Sequence, residues 1–442
     1  MIKIQDFSNN IFNNIGFQEY NLTQDYKMFN YCITQKIDDN MLVYNTFTSE
    51  MLLFSLDEYN SIFLYGKNDN IKVHKYLIRH WFLIPKNSND FSITYTFLQV
   101  MRRSKPDMIR NLFTYTILTT TDCNARCSYC YEADYKRIKM SEETALDVVN
   151  YIEKTHYNKV SLQWFGGEPL CNGKAIDIIC SELKKRKIPY SSNMITNGYL
   201  FDEYDLDVVL PLWKLNQVQI TLDGMEEKYN NIKRYIDINS GSPFHKVINN
   251  IHSLSKKYIK VNVRINISES NIDDLYPLVD YLYDEFGKYK TFSVYSYPLF
   301  RYWESQDSKI FDEYSKLQDY ILLKRLRGHR SLQHVHISHC MADNKKSVVI
   351  TPEGNLSLCE HYIYGELIGN IYENKLDSNV IDSWAERYYC DECQNCKLYP
   401  QCTLLKKCPV SNCSESYRNY IEDQIKKSMV RTYEKYLENK KI

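Results

Sequence analysis

Three closely spaced cysteines are the part of the sequence best suited to chemistry. Cys123, Cys127 and Cys130 form the pattern C-x3-C-x2-C directly after a β-rich run. Three thiolates can hold three irons of a four-iron cluster and leave the fourth iron open to a small molecule. Zinc sites instead favour C-x2-C pairs with a fourth ligand nearby, and no further cysteine follows until Cys171. The pattern therefore favours a cluster over a zinc knuckle or scattered structural thiols.

Four polar motifs follow at points where strands are expected to end. The motif Gly166-Gly167-Glu168-Pro169 combines two residues that allow close backbone approach with a carboxylate that can accept from an ammonium group. The others are Thr196-Asn197-Gly198, Thr221-Leu222-Asp223-Gly224 and Arg264-Ile265-Asn266. An arginine suits a bidentate contact with a carboxylate. Each motif alone could also be a plain turn or strand end, so their order and context indicate the binding site.

A second group of cysteines lies near the C-terminus. Cys340 and Cys359 flank a predicted β-hairpin at residues 348–356. Six more follow closely, at Cys390, Cys393, Cys396, Cys402, Cys408 and Cys413. In a reducing compartment such crowding indicates metal or cluster binding rather than disulfides. One or two all-cysteine zinc sites are the alternative. Cys171 and Cys180 fit no ligand pattern and are expected to be packing residues.

The surrounding pattern predicts the scaffold that positions these groups. From about residue 111 the chain alternates strands and helices, which indicates parallel βα units. Ser141 can cap the helix after the cysteine loop. Six strands are predicted, at 113–118, 160–165, 192–196, 218–222, 261–267 and 291–297. Six such units fit an α/β fold, a partial (β/α)6 TIM-like barrel whose chemistry lies at the carboxyl ends of its strands. The four motifs fall at those ends.

Composition limits the class of protein. The 442 residues allow two or three domains, and 44% are hydrophobic. Lys+Arg and Asp+Glu both number 55, so nothing indicates a nucleic-acid partner. The N-terminus lacks the apolar core of a signal peptide, and no run of about 18 apolar residues occurs. We therefore expect no membrane association and a cytoplasmic location.

The first cysteine motif, with Tyr129 before its last cysteine, resembles the signature of the radical SAM (S-adenosylmethionine) enzymes. In that family the open iron chelates SAM, and one electron splits SAM to a 5′-deoxyadenosyl radical that abstracts hydrogen. The family often continues after its fourth strand with a His-Asp pair and an Arg, where this chain has Tyr229-Asn230 and then Arg234. The resemblance implies that the cofactor-binding residues are Tyr129, Gly166, Gly167, Glu168, Thr196, Asn197, Thr221, Asp223, Arg264 and Asn266.

The C-terminal cysteines resemble the SPASM domain, an extension that holds two auxiliary 4Fe–4S clusters. The resemblance assigns Cys340, Cys359 and Cys408 to auxiliary cluster I, and Cys393, Cys396, Cys402 and Cys413 to auxiliary cluster II. Cys390 is extra and is a candidate fourth ligand of cluster I, with an open iron as the other option. Glu360 follows Cys359, where sulfatase-maturing members have a carboxylate that acts as a base. A solvated glutamate is the alternative.

Residues 1–108 carry no catalytic motif. Strands at 31–37 and 41–46, helices at 55–63 and 73–81 and a short wing strand at 83–85 predict a small winged-helix-like α+β domain. It resembles the precursor-peptide recognition element of peptide-modifying radical SAM enzymes, whose edge strand pairs with a leader peptide. A simple cap on the barrel is the alternative. The other expected parts are the barrel at 109–302, a helical linker at 303–334, the SPASM domain at 335–415 and a C-terminal helix at 416–442.

Together these resemblances predict a radical SAM/SPASM peptide maturase with three 4Fe–4S clusters and SAM. It would form a thioether, C–C or C–O crosslink, or make another oxidative side-chain modification, in a ribosomally made peptide. Its partners would be a precursor peptide, with its leader bound by the N-terminal domain, and a reductant such as flavodoxin or ferredoxin. The alternatives are a radical SAM enzyme acting on a sulfatase or a small molecule, and a non-catalytic iron–sulfur or zinc protein.

Overall fold

The computed structural model describes residues 1–5, 24–67, 70–103, 112–236, 241–299, 308–327, 332, 340–373, 375–408 and 413–440. Within them, a mostly parallel sheet with flanking helices lies between an N-terminal antiparallel unit and a cysteine-rich C-terminal segment. The predicted fold class, a partial barrel of βα units with a cysteine-rich C-terminus, is confirmed.

The N-terminal segment is built on a four-stranded antiparallel sheet, whose strands lie in the order Ile2–Gln5, Met51–Ser55, Asn40–Asn45 and Cys32–Ile37. Its elements are β1 Ile2–Gln5, β2 Tyr26–Met28, β3 Cys32–Ile37, β4 Asn40–Asn45, β5 Met51–Ser55, α1 Leu56–Tyr59, a π-helical turn Asn60–Leu64, α2 Ile71–Arg79, β6 Leu83–Pro85 and α3 Asp90–Arg103. The five predicted elements occur within two residues of their expected bounds. The sequence pattern missed β1, β2, β5 and α3.

Six parallel strands and their helices form the centre of the molecule. They are β7 Leu112–Thr120, α4 Glu142–Thr155, β8 His156–Gly166, α5 Gly173–Lys185, β9 Tyr190–Thr196, α6 Leu206–Trp213, β10 Leu215–Thr221, α7 Glu226–Lys233, α8 Pro243–Lys256, β11 Lys260–Ile267, α9 Ile272–Phe286 and β12 Phe292–Pro298. The six strands lie side by side in chain order. All six predicted strands occur, and their carboxyl ends meet at one edge of the sheet.

Local sequence explains why these elements form. Ser141 Oγ accepts a hydrogen bond from Thr144 N at 3.0 Å, which caps α4. Strands β9 and β12 alternate buried and half-buried residues, because one face packs on the helices and the other faces the interior of the partial barrel. Trp164 on β8 and Trp213 on α6 are fully buried in this core.

The C-terminal segment extends the same sheet. Its elements are α10 Ser308–Leu323, β13 Ser347–Ile350, β14 Asn355–Ser357, β15 Gly369–Asn370, α11 Ser378–Trp384 and α12 Glu415–Lys440. The predicted hairpin is present as β13 and β14, but it does not stand apart. β13 pairs in parallel with β7, so the sheet continues past the first barrel strand. The expected linker at 303–334 is described only at residues 308–327 and 332.

The N-terminal segment packs directly on the C-terminal cysteine region. Thr46 Oγ1 donates to the Lys397 carbonyl at 2.6 Å, and Gln401 Nε2 donates to the Tyr44 hydroxyl at 2.7 Å. Cys393 is buried in the same apolar cluster as residues of β3, β4 and α2. In the part of the chain covered by the structure, no helix is long and apolar enough to cross a membrane.

Candidate active site

The cysteine loop lies at the carboxyl end of β7. Cys123, Cys127 and Cys130 line one cavity of about 450 Å³. The loop is held by its own polar groups, because Arg126 Nη1 donates to the Cys123 carbonyl at 2.5 Å and to the Ala125 carbonyl at 2.8 Å. The structure thus brings together the three thiols that the sequence singled out.

The donor set fits an iron–sulfur cluster. The backbone N–H of Ala125 points at Cys123 Sγ from 3.4 Å, and Asn197 Nδ2 approaches it to 3.9 Å, so donors surround this sulfur. Burial raises the pKa of all three thiols, so binding iron would displace their protons. A cluster spreads its thiolates over separate irons, so three thiols around one cavity suit it.

The two glycines after β8 allow two strand ends to lie close together. Gly166 has φ +126°, and a Cβ there would stand 2.0 Å from the Thr120 carbonyl oxygen. A Cβ on Gly167 would stand 2.3 Å from the Asp122 carbonyl oxygen. Both glycines also line the cavity. They bring the β8 end against the start of the cysteine loop, a close approach that no larger residue permits.

Glu168 forms hydrogen bonds with the ends of two barrel strands. The side chain is fully buried. Its oxygens accept from Leu170 N at 3.1 Å, Thr196 Oγ1 at 2.7 Å and Asn197 N at 2.8 Å. Burial raises its pKa to about 7 against the lowering effect of these hydrogen bonds. Glu168 therefore ties the end of β8 to the end of β9, and its predicted contact with the SAM amino group stays a prediction.

A buried network of Asp223, Lys233 and Asn266 contacts the cysteine loop through Tyr129. Asp223 Oδ1 accepts from Asn266 N at 2.9 Å, and its Oδ2 accepts from the Tyr129 hydroxyl and lies 3.1 Å from Lys233 Nζ. Lys233 Nζ also donates to the Tyr129 hydroxyl at 2.8 Å. Burial alone would lower the pKa of Lys233, but Asp223, Tyr129 and Cys127 together hold it well above its usual value. Lys233 is therefore a buried cation beside the loop.

Lys233 was not anticipated from the sequence. Arg234 stands at the family's arginine position, but it has φ +51°, is exposed, and its Nε donates to its own helix terminus at the Asn231 carbonyl. The signal was present in the helical spacing. Tyr229, Ile232 and Lys233 fall at i, i+3 and i+4 of α7, and all three are buried.

Thr221, Arg264 and Asn266 also face the cavity. Arg264 Nε donates to Asn266 Oδ1 at 2.9 Å, and its guanidinium lies 5.4 Å from the centre of the Tyr297 ring. These contacts orient the arginine along the cavity wall, where its remaining N–H groups can meet a carboxylate.

The C-terminal segment completes the cavity wall. Glu360 and His361 line it together with Glu132. Burial and the neighbouring Glu360 raise the pKa of Glu132 to about 7, and burial raises the pKa of Glu360. Burial and Arg264 lower the pKa of His361 to about 4, so this imidazole is neutral. Glu360 therefore faces the cavity rather than bulk solvent. Glu132 was not anticipated.

The remaining cysteines fall into two groups. Cys340 and Cys408 are close enough to Cys359 to raise its pKa, after the larger effects of burial and Glu360. Cys396, Cys402 and Cys413 line a second cavity of about 110 Å³, with the buried Cys393 next to them. The Sγ atoms of Cys390 and Cys393 are 3.5 Å apart. Cys390 thus lies beside the second group, and its assignment as a ligand of cluster I stays a prediction. Cys180 is buried and Cys171 is half-buried, as expected of packing residues.

The fold is a partial parallel barrel, and three cysteines lie in the loop after its first strand. This combination is the one expected of an α/β barrel enzyme that binds an iron–sulfur cluster. Residues 117–282 match the radical SAM superfamily and form a radical SAM domain, and the chain is an S-adenosylmethionine-dependent enzyme.

Known proteins similar to the chain act on different substrates. It is 26% identical over 278 residues to GTP 3′,8-cyclase of Clostridium perfringens, covering 57% of this chain and 81% of the relative. It is 24% identical over 334 residues to the cysteine-type anaerobic sulfatase-maturating enzyme of Clostridium novyi, covering 64% of this chain and 84% of the relative. The fold resembles Streptococcus suis SuiB bound to precursor peptide SuiA, with TM-score 0.52 and 12% identity over 88% of this chain and 99% of that one.

Proposed function

We propose that the chain is a radical SAM peptide maturase. It would cleave SAM reductively, abstract hydrogen from a ribosomally made precursor peptide and install a crosslink or another oxidative side-chain modification. The observation that carries this is one cavity of about 450 Å³ whose lining combines the three cysteines, the strand-end motifs and Glu360. The similarity to a sulfatase-maturating enzyme and the fold shared with SuiB support a peptide substrate.

The chain's residues would divide the work of holding the cofactors. Cys123, Cys127 and Cys130 would ligate the cluster, and the backbone of Gly166 and Gly167 would receive the SAM amino group. Arg264 would hold the SAM carboxylate through its outer N–H groups. When bound, cluster and SAM would supply the hydrogen-abstracting radical, and the protein would supply orientation and exclusion of water.

Glu360 would act on the peptide rather than on SAM. Its carboxylate lies in the cavity wall with His361, which is neutral, and near Arg264. Forming a crosslink removes two hydrogen atoms from the peptide: one would be taken as a hydrogen atom by the radical, and the other would leave as a proton with its electron accepted by an auxiliary cluster of the C-terminal segment. A raised pKa suits a carboxylate that must accept that proton near neutral pH.

The remaining cysteines would hold two auxiliary 4Fe–4S clusters. Cys340, Cys359 and Cys408 would serve one, and Cys393, Cys396, Cys402 and Cys413 the other. Iron and acid-labile sulfide, measured after anaerobic reconstitution, should then reach about 12 of each per chain. About 4 of each, with bound zinc, would instead mean that the C-terminal cysteines are structural.

The activity test measures two products separately. The reconstituted enzyme, supplied with a strong reductant and SAM, should release 5′-deoxyadenosine, and the Cys127→Ala variant should release none. Cys171→Ala is the matched control, because this cysteine lies close to Cys123 without belonging to a ligand pattern. Co-expression with short peptides encoded beside the gene should give a peptide lighter by two hydrogen atoms. SAM cleavage without any modified peptide would favour a small-molecule substrate, as in the GTP cyclase relative.

The N-terminal segment would bind the leader along β3. Within the described ranges, β3 pairs only with β4 and its outer edge carries no other strand. The Thr46 N–H donates to the Tyr31 carbonyl at 2.8 Å, and Tyr31 precedes β3. Hydrogen-bonded pairs alternate along an antiparallel ladder, so the N–H groups of Thr34 and Lys36 point outward. A leader strand would accept from these two groups.

A proline at Thr34 tests this binding mode. It removes an outward N–H without removing a bond of the β3–β4 ladder, which an edge strand tolerates. Thr34→Pro should weaken precursor-peptide binding in a fluorescence anisotropy titration, whereas Thr34→Ala should not, and both variants should cleave SAM normally. Equal peptide affinity in the two variants would rule out strand addition at this edge.

A further inference from the structure

Helix α12 forms one wall of the second cysteine cavity. Its residues Tyr417, Ile421, Gln424 and Ser428 follow the spacing of a single helix face, and all line the cavity with Cys396, Cys402 and Cys413. Two polar side chains of this helix, Gln424 and Arg418, line the same cavity as the cysteines, and neither belongs to a cysteine motif.

Gln424 is the first of them. It is 7% exposed, and its Nε2 has no hydrogen-bond partner within the described part of the chain. Leaving a buried amide unpaired is unfavourable, so such a group is expected to meet an acceptor that completes the site. The acceptors that a cysteine-lined cavity would hold are the sulfurs of a cluster.

Arg418 is the second, six residues earlier on the helix. Its Nη1 donates to Cys413 Sγ at 3.4 Å. The arginine is half-buried and belongs to the lining of the same cavity. It places a positive charge and an N–H group directly on one thiol of the group.

We infer that Gln424 and Arg418 donate hydrogen bonds to the sulfurs of the auxiliary cluster held by Cys396, Cys402 and Cys413, and thereby raise its reduction potential. The inference rests on the auxiliary cluster of the proposed function. Reduction adds one negative charge to a cluster, and donors to its sulfurs stabilise that charge. Removing either donor should therefore make the cluster harder to reduce.

The test is a redox titration followed by electron paramagnetic resonance on the full-length, reconstituted protein. The signal of this cluster is identified as the one that Cys402→Ala abolishes. Gln424→Met keeps the side-chain volume and removes the amide, and Arg418→Leu removes the charge. Each should shift the midpoint of that signal to a more negative potential and leave the other signals in place. Met429→Leu is the control, because Met429 is fully buried on the same helix outside the cavity lining.

The outcomes separate this inference from the proposed function. If the signal keeps its midpoint in both donor variants while iron content is unchanged, the inference is wrong and the auxiliary cluster stands. If Gln424→Met loses iron, the midpoint of Arg418→Leu is used instead: a more negative midpoint supports the inference, and an unchanged midpoint refutes it. If the wild-type protein has no signal that depends on Cys402, the auxiliary cluster itself is absent and the inference falls with it.

Discussion

Replacing Lys233 should destabilise the barrel more than any surface change. Its side chain is 3% exposed and that of Asp223 1% exposed, with Nζ and Oδ2 3.1 Å apart. Removing one partner of a buried ion pair leaves an uncompensated charge, which costs about 3–5 kcal/mol. Lys233→Met and Asp223→Asn should each lose stability on this scale. The double variant removes both charges, so it should recover much of the loss instead of adding the two.

Urea unfolding measures this directly, because Trp164 and Trp213 are buried in the barrel and report its unfolding by fluorescence. With a slope of about 2–3 kcal/mol/M, the single variants should shift the midpoint down by about 1–2 M. A wild-type midpoint for Lys233→Met, or a double variant less stable than both singles, would refute the ion-pair reasoning. Iron at the first cluster should fall in parallel, because Lys233 also donates to Tyr129 of the cysteine loop.

The pH dependence of the Lys233 effect follows from the direction of its pKa shift. Burial lowers the pKa of Lys233, but Asp223 and its other neighbours outweigh burial and raise it. A lysine whose folded pKa is raised contributes its full stability below the unfolded value of about 10.4 and loses it only as the pH passes the folded value. The loss of unfolding free energy caused by Lys233→Met should therefore be about the same at pH 7 and at pH 9.

Three further outcomes are expected. Gly166→Ala should abolish SAM binding, measured by equilibrium dialysis, since its Cβ would meet the Thr120 carbonyl oxygen at 2.0 Å; Gly66→Ala, with φ +65° and open space, is the control for backbone strain alone. The pKa of Glu168, raised to about 7 by burial, means that the folded protein binds the extra proton and loses stability as the pH rises from about 4.5 to 7. That loss is on the order of 3 kcal/mol, and Glu168→Gln should flatten it in urea midpoints taken across this range; an unchanged slope would contradict the assignment. Glu360→Gln should keep 5′-deoxyadenosine formation and lose peptide modification, and equal loss of both would place Glu360 with SAM instead.

The barrel was predictable because its signals are local. Each of the six strands is a β-rich run, and Ser141 marks the start of α4 through its own side chain. The order of the strands then follows from the tendency of consecutive strands to lie side by side, and right-handed crossovers place the helices on one face of the sheet. The strand-end motifs could be located for the same reason, since parallel strands present their carboxyl ends at one edge.

The features that the sequence did not reveal depend on pairs distant along the chain. β13 pairs with β7 across more than 200 residues, and no local sequence pattern predicts a parallel partner at the edge of the sheet. Lys233 is hard to distinguish from the other lysines by sequence, because its burial against Asp223 depends on the packing of α7. Gln424 lies in a highly charged helix whose sequence shows no clear apolar face. Its place beside the cysteines is visible only in the folded structure. Buried polar groups acquire meaning from their tertiary partners.

The contact between the N-terminal segment and the cysteine region decides how leader binding must be tested. Deleting residues 1–108 would remove the partners of Lys397 and Gln401 and uncover Cys393, which is 7% exposed. Loss of peptide turnover in such a truncation would follow equally from a lost leader site and from a damaged auxiliary cluster. The single change at Thr34 avoids this ambiguity, because it alters the outer edge of β3 and leaves the packed face in place. Reduced peptide binding with unchanged iron content would then assign the leader to this edge alone.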